Sequence, residues 1–182
     1  MGIAKDNPAK VKGTGILHVV KALRVRRNHV EPLLPERLRH YLEEKILVAS
    51  WYPAEDLLGL LRTLVHFVPK GVGNAWFWMG EQSARIDLVE VYAAMVQKGN
   101  AWATLQRIPR LWRLYQDSGK LEVGVAGSTR AQVILSEFPF SEEDFGTLVA
   151  GYLREMLRAA GSEGNVKLLQ SGVKGARWLV EW

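Results

Sequence analysis

The stretch Leu111-Trp112-Arg113-Leu114-Tyr115-Gln116-Asp117-Ser118-Gly119-Lys120-Leu121-Glu122-Val123-Gly124-Val125 decides the fold, because the period of the apolar residues changes inside it. Upstream, apolar side chains recur at helical spacing; downstream they alternate, as on a strand with one buried side. Asp117-Ser118-Gly119 is the joint. Working outward on the C-terminal side, Lys120–Ala126 alternates with Leu121, Val123 and Val125 on one face. Gly127-Ser128 reads as a hairpin turn, with glycine first for the positive φ. Thr129–Glu137 returns with Ala131, Val133 and Leu135 inward, and Phe138-Pro139 stops it. Ser141-Glu142-Glu143-Asp144 is an N-terminal helix signature. The helix it opens carries Phe145, Leu148, Val149, Tyr152, Leu153, Met156, Leu157 and Ala160 on one face, and Gly161 closes it. Val166–Gln170, the glycine-rich turn Ser171–Gly175 and Ala176–Trp182 make a second hairpin. The C-terminal half is therefore ββαββ.

On the N-terminal side the segments are helical. Ile16–Val25 is ambiguous between helix and strand. Pro35 opens a helix to about Ile46 with Leu38, Tyr41 and Leu42 on one face. Ser50-Trp51-Tyr52-Pro53 starts the next, with an apolar stripe from Leu57 to Val68. Asn74 caps a long helix, Ala75 to about Gln97, whose face reads Trp76, Gly80, Ala84, Leu88, Val91 and Met95. Asn100 caps Ala101–Gln106, and Pro109 opens the helix of Trp112 and Tyr115. The expected class is α+β, with N-terminal helices packed on a C-terminal ββαββ unit whose sheet has four antiparallel strands.

The 182 residues suit one domain over 14–182, preceded by a flexible basic arm over 1–13. Composition is that of a globular chain, 48% hydrophobic and 24% charged, and its apolar runs are too short for a membrane span. No signal-peptide pattern follows Met1, and there are no cysteines, which excludes disulfides, thiolate nucleophiles and cysteine metal sites. Both features point to the cytoplasm. Net charge is +5, and the excess sits at the front: residues 1–45 carry ten cations against five anions. Lys5, Lys10, Lys12, Lys21, Arg24, Arg26 and Arg27 could meet nucleic acid, but no aromatic interleaving accompanies them, so a solvated face is the simpler reading.

No residue set commits the chain to a reaction. His18, His29, His40 and His66 have no metal-binding spacing. Gly127-Ser128-Thr129 is no nucleophile elbow, and Gly71-Val72-Gly73 is no phosphate loop. Asp117, Glu122 and Glu137 are carboxylates near the joint with nothing to show convergence. No catalytic, cofactor or metal residues are therefore assigned. Seven tryptophans are the unusual feature. Gly80 and Ala84, flanked by Trp76 and Leu88, mark either close approach of another helix or a hydrophobic pocket. Trp78, two positions from Trp76, cannot share its face and is a candidate partner surface.

Several of these stretches also carry a resemblance. Ser50-Trp51-Tyr52-Pro53, Leu111–Val123, Phe138-Pro139, Gly151-Tyr152-Leu153 and the terminal strand ending in Trp182 resemble an uncharacterised bacterial family found mainly in myxobacteria, from about Val11 onward. That family is similar to the superfamily of 4-vinyl-reductase-like, haem-NO-binding and TRAPP-subunit proteins. The resemblance implies helices followed by ββαββ, binding of haem or small hydrophobic molecules in some members, and dimers formed through helices. Two departures stand out. Related domains carry cysteines around the last hairpin, where this chain has Leu168-Leu169-Gln170 and Ala176-Arg177. Haem-binding members use a proximal histidine and a Tyr-x-Ser-x-Arg motif, which Tyr115-Gln116-Asp117-Ser118 does not reproduce. The expectation is a non-enzymatic domain that binds a small hydrophobic ligand or a protein partner, dimeric and without haem or metal. A regulatory nucleic-acid binder using the basic segment is the alternative.

Overall fold

The computed structural model describes residues 8–90, 92–173 and 175–182. The chain divides into two compact units. One is built from residues up to Leu64 together with Tyr115–Ser118; the other comprises Val65–Leu114 and Gly119–Trp182.

In the first unit, β1 (Lys10–Lys12) pairs antiparallel with β2 (Trp51–Pro53). Helices α1 (Gly13–Arg24), α2 (Arg27–Val30) and α3 (Ala54–Leu64) surround a core of Ile16, Val20, Leu23, Leu38 and Leu60, all fully buried. Three expectations change here. Lys10–Lys12, expected within an arm over 1–13, are in a strand with Val11 only 1% exposed, and residues 1–7 of that expected arm lie outside the described residues. Ser50–Pro53 does not begin a helix. Pro53 biases Tyr52 toward extended backbone, and the stretch pairs with β1, so the helix starts one residue later at Ala54. Glu36–Leu42 is a 3-10 helix, although Leu38, Tyr41 and Leu42 are buried as the spacing requires. Tyr41 donates to Asp56 Oδ2 at 2.9 Å, and Arg37 pairs with the same carboxylate. Burial first, and the Asp56 carboxylate second, push the Tyr41 phenol far above its ordinary value.

In the second unit, β3 (Lys120–Gly127), β4 (Arg130–Ser136), β5 (Asn165–Gly172) and β6 (Gly175–Glu181) form an antiparallel sheet in the order β3-β4-β6-β5. The hairpin turn falls on Ser128-Thr129, one residue later than expected. Ala131, Val133, Leu135, Ala176, Trp178 and Val180 face inward and are buried. Helix α7 (Glu143–Ala159) covers that face, and the Trp178 indole donates to the Gly146 carbonyl at 2.8 Å. The N–H of this large buried ring is thereby satisfied. Val125 was expected inward but is 73% exposed, because β3 runs past the layer that covers Leu121. Ser141 does mark the start of α7. It does not cap the helix, since its hydroxyl donates backward to the Phe138 carbonyl at 2.9 Å.

The remaining helices are α4 (Ala75–Glu90), α5 (Ala101–Leu105) and α6 (Ile108–Tyr115). Asn74 and Asn100 cap α4 and α5 through their side chains, with N–H to Oδ1 distances of 3.1 and 2.9 Å. Helix α4 stops short of the expected Gln97. Ala93–Met95 instead form a separate 3-10 turn, and Arg107 and Thr104 hold the backbone of Ala94 and Gln97 there. Val91 lies outside the described residues. Gly119 at the joint has φ of +79°, and a Cβ there would meet the Phe138 Cβ at 3.0 Å, so only glycine fits without strain.

Candidate functional site

Of the residues singled out on α4, Gly80 lies in its contact with α7. A Cβ on Gly80 would stand 1.9 Å from the Leu148 carbonyl oxygen, and one on Gly151 would stand 1.9 Å from that of Phe77. Two glycines thus let the backbones of α4 and α7 touch, and the space at Gly80 is filled by α7. Ala84 and Leu88 are buried beside it, while Trp76 and Trp78 are both half-buried.

The same contact holds charges that periodicity did not reveal. Glu81 is 6% exposed and accepts from Arg154 Nε at 2.8 Å. The Arg154 guanidinium also lies over the Phe77 ring, 4.5 Å from its centre. Glu155, 8% exposed, meets Arg85 Nε at 3.0 Å and Arg158 Nη1 at 3.2 Å. Its hydrogen bond is the main reason the Arg85 pKa is raised. Glu81 and Glu155 thus each have a guanidinium partner, the condition for tolerating a charge away from water. These groups build the helix layer; they do not converge on a cleft.

The tryptophans divide by role. Trp178 is wholly buried under α7, and Trp112 packs edge-on against Phe138 at 5.1 Å. Trp102 stacks on Trp182 at 6.4 Å. Trp51, in the first unit, is 41% exposed beneath the Lys12 ammonium.

A concavity of the second unit lies on the outer face of the sheet. Ile134, Arg177 and Gln170 stand in one cross-strand row over β4, β6 and β5; Ser136, Gly175 and Gly172 form the next. Gly172 puts no side chain over that second row, and the row is a hollow. Its volume is about 500 Å³, with Val173 on its rim and Ile134 and Arg177 as walls. Open space lies above Gly172, where a Cβ would meet nothing within 4 Å. Sequence reading missed this hollow because glycines in a strand signal absence of packing, not presence of a site.

The basic segment is partly spent inside the first unit. Lys12 lies over Trp51, Arg24 donates to the carbonyls of Tyr41 and Glu44, and Arg27 pairs with Glu31 and Glu43. Asp117 accepts from the Lys10 N–H at 2.7 Å and returns its own N–H to the Lys10 carbonyl at 3.1 Å, so the joint is stitched to β1.

Haem is the cofactor that the resemblance raises. The donor set of the second unit does not fit an iron held by imidazole or thiolate. Helices α4–α7 carry no histidine or cysteine, and His66, the one histidine of that unit, is exposed. Among the described residues no group of three or more His, Cys, Asp or Glu could hold a metal ion. No described helix is long and apolar enough to cross a membrane.

No family model matches the chain, and no curated protein sequence matches it. Solved structures do. A mutant H-NOX (haem-NO-binding) protein of T. tengcongensis is 15% identical with a TM-score of 0.67, over 93% of this chain and 94% of that one. An oxygen-binding H-NOX domain related to soluble guanylate cyclases, in its oxygen complex, is 12% identical with a TM-score of 0.66, over 93% and 94%. An Fe(II) unliganded H-NOX mutant from K. algicida is 11% identical with a TM-score of 0.66, over 93% and 95%. At this identity the likeness concerns architecture, and the chain has the fold of the H-NOX domains.

Proposed function

We propose that the protein is a non-enzymatic, haem-free module of the cytoplasm that binds a small amphiphilic ligand and works as a homodimer. The observation that carries the ligand reading is the hollow of about 500 Å³ on the outer sheet face, a size suited to a small organic molecule. Its walls combine the apolar Ile134 and Val173 with the Arg177 guanidinium and the Gln170 amide. A guanidinium prefers a planar anion such as a carboxylate, so the ligand class is a carboxylate with a short apolar tail. H-NOX neighbours of domain length cover nearly all of this chain, which supports reading its two units as one ligand-binding domain. The missing imidazole supports a sensor that has kept the architecture and left the porphyrin. Kinship with the 4-vinyl-reductase-like and TRAPP-subunit proteins, and with the mainly myxobacterial family, belongs to the same reading.

Calorimetric titration with a medium-chain carboxylate and its matching alcohol tests the site. The carboxylate is expected to bind at least about tenfold more tightly, a difference of about 1.4 kcal/mol. Arg177→Ala should remove that preference, and Gly172→Val, which fills the hollow, should abolish binding of both. Equal affinity for acid and alcohol, or binding unchanged in Gly172→Val, would overturn the assignment. A coordinated-haem absorption band in protein purified from haem-supplemented cells would overturn the haem-free part alone.

A further inference from the structure

We infer that the free edge of β3 is the surface through which two copies of this chain pair, antiparallel and strand to strand. The inference rests on the dimer reading above and supplies its surface.

The sheet has two edges, and they differ. Strand β5 carries Lys167 and a bulge between Leu168 and Gln170, both devices that keep a second strand from adding on. Strand β3 also carries two charges, Lys120 and Glu122, and an irregularity between Val125 and Gly127, but both lie toward its ends: from Leu121 to Val125 it is regular against β4, and Val123-Gly124-Val125 holds no charge and no proline. Among the described residues it pairs with β4 alone. On its core-facing side Leu121 is buried, whereas Val125 stands 73% exposed. A strand with a bare backbone edge and an uncovered valine is a template for another strand.

The register selects a second copy as the occupant. Residues directly opposite in a sheet share a face, so a two-fold axis must match core-facing with core-facing residues. An axis through Glu122 sets that carboxylate against its own copy. An axis through Gly124 runs Lys120 into the turn at Ser128. An axis through Val123 avoids both. It sets Leu121 opposite Val125, Glu122 opposite Gly124 and Lys120 opposite Ala126, with Val123 facing itself. No like charges meet, and each exposed Val125 gains the leucine of the other copy as a neighbour. Glycine at 124 leaves room for the Glu122 side chain that crosses it, since a Cβ there would meet nothing within 4 Å.

The chain's lack of cysteine gives a direct test. Facing residues of antiparallel strands have Cα atoms about 4.5–5.5 Å apart, within disulfide reach. Val123→Cys should therefore oxidise to a linked dimer, whereas Lys167→Cys on the β5 edge should not. Light scattering of the unmodified protein should give a two-chain mass, and Val125→Glu should reduce it to one chain with an unchanged circular dichroism spectrum. A one-chain mass for the unmodified protein overturns the dimer reading and the β3 edge together. A two-chain mass that persists in Val125→Glu, or a Val123→Cys protein that fails to link while remaining dimeric, keeps the dimer and overturns the edge.

Discussion

Helices α4 and α7 face one another along the same contact, yet they are written differently. Helix α7 repeats its apolar residues at spacings of three, one and three along its whole length, and its extent was readable to within two residues. Helix α4 mixes Glu81, Arg85 and Asp87 among its apolar residues and shows no clean stripe. The difference follows from what each helix covers. One side of α7 lies on the sheet, where apolar groups pack, and two of its charges, Arg154 and Glu155, are turned to α4. Helix α4 has no sheet to cover, so it meets α7 through two glycine contacts and buried ion pairs. Periodicity reports burial against apolar neighbours; it is silent about burial against charges.

Breaking the glycine contact should have the largest effect. Gly80→Val or Gly151→Val would force an atom onto opposing backbone, and either variant should lose the cooperative thermal transition of the second unit. Next in size is Arg154→Ala, which leaves Glu81 buried without its cation and should cost about 3–5 kcal/mol in denaturant titration. A double variant, Arg154→Leu with Glu81→Leu, should recover most of that loss, because the pair's net worth is far smaller than the cost of stranding one member. On the sheet side, Trp178→Phe removes the indole bond to the Gly146 carbonyl and part of a wholly buried ring, for about 1–3 kcal/mol. The smallest effect belongs to the helix ends: Asn74→Ala should cost about 1 kcal/mol. Equal losses for Arg154→Ala and the double variant would show that packing, not charge pairing, holds the contact.

The first unit offers a contrast in pH. The Tyr41 phenol is held neutral by burial and by Asp56, so its folded pKa lies above the ordinary 10.0. Its contribution is complete below pH 10 and is lost as the pH rises beyond that value toward the folded pKa. Thermal melts should show stability declining above pH 10, and Tyr41→Phe should flatten that decline.

Where a single rule governed a segment, the sequence was enough to read it. Alternation in Leu121, Ala131, Val133, Leu135, Trp178 and Val180 gave the sheet its inner face, and the asparagine caps marked two helix starts. Reading failed where a partner outside the segment decided the outcome. Trp51–Pro53 became a strand because Lys10–Lys12 lay alongside it. Val125 was exposed because the covering layer ended before it. At the candidate site the signals were weaker still. Gly80 was noticed, and α7 occupies its space; the hollow beside Arg177 depends on Gly172 of one strand falling next to Ser136 and Arg177 of two others.

The clasp between Lys10 and Asp117 has a consequence for synthesis. Residues up to Leu64 leave the ribosome first, but their unit also includes Tyr115–Ser118. Val11 is bridged by Gln116, and Lys10 is held by Asp117 across a separation of 107 residues. Vectorial folding of the amino-terminal unit must therefore wait until Tyr115–Ser118 has been translated. By then α4, α5 and most of α6 already exist as chain. Contacts this distant in sequence close slowly. A nascent chain arrested before Tyr115 should remain protease-sensitive at its amino terminus, and one extended past Ser118 and clear of the ribosomal tunnel should become resistant.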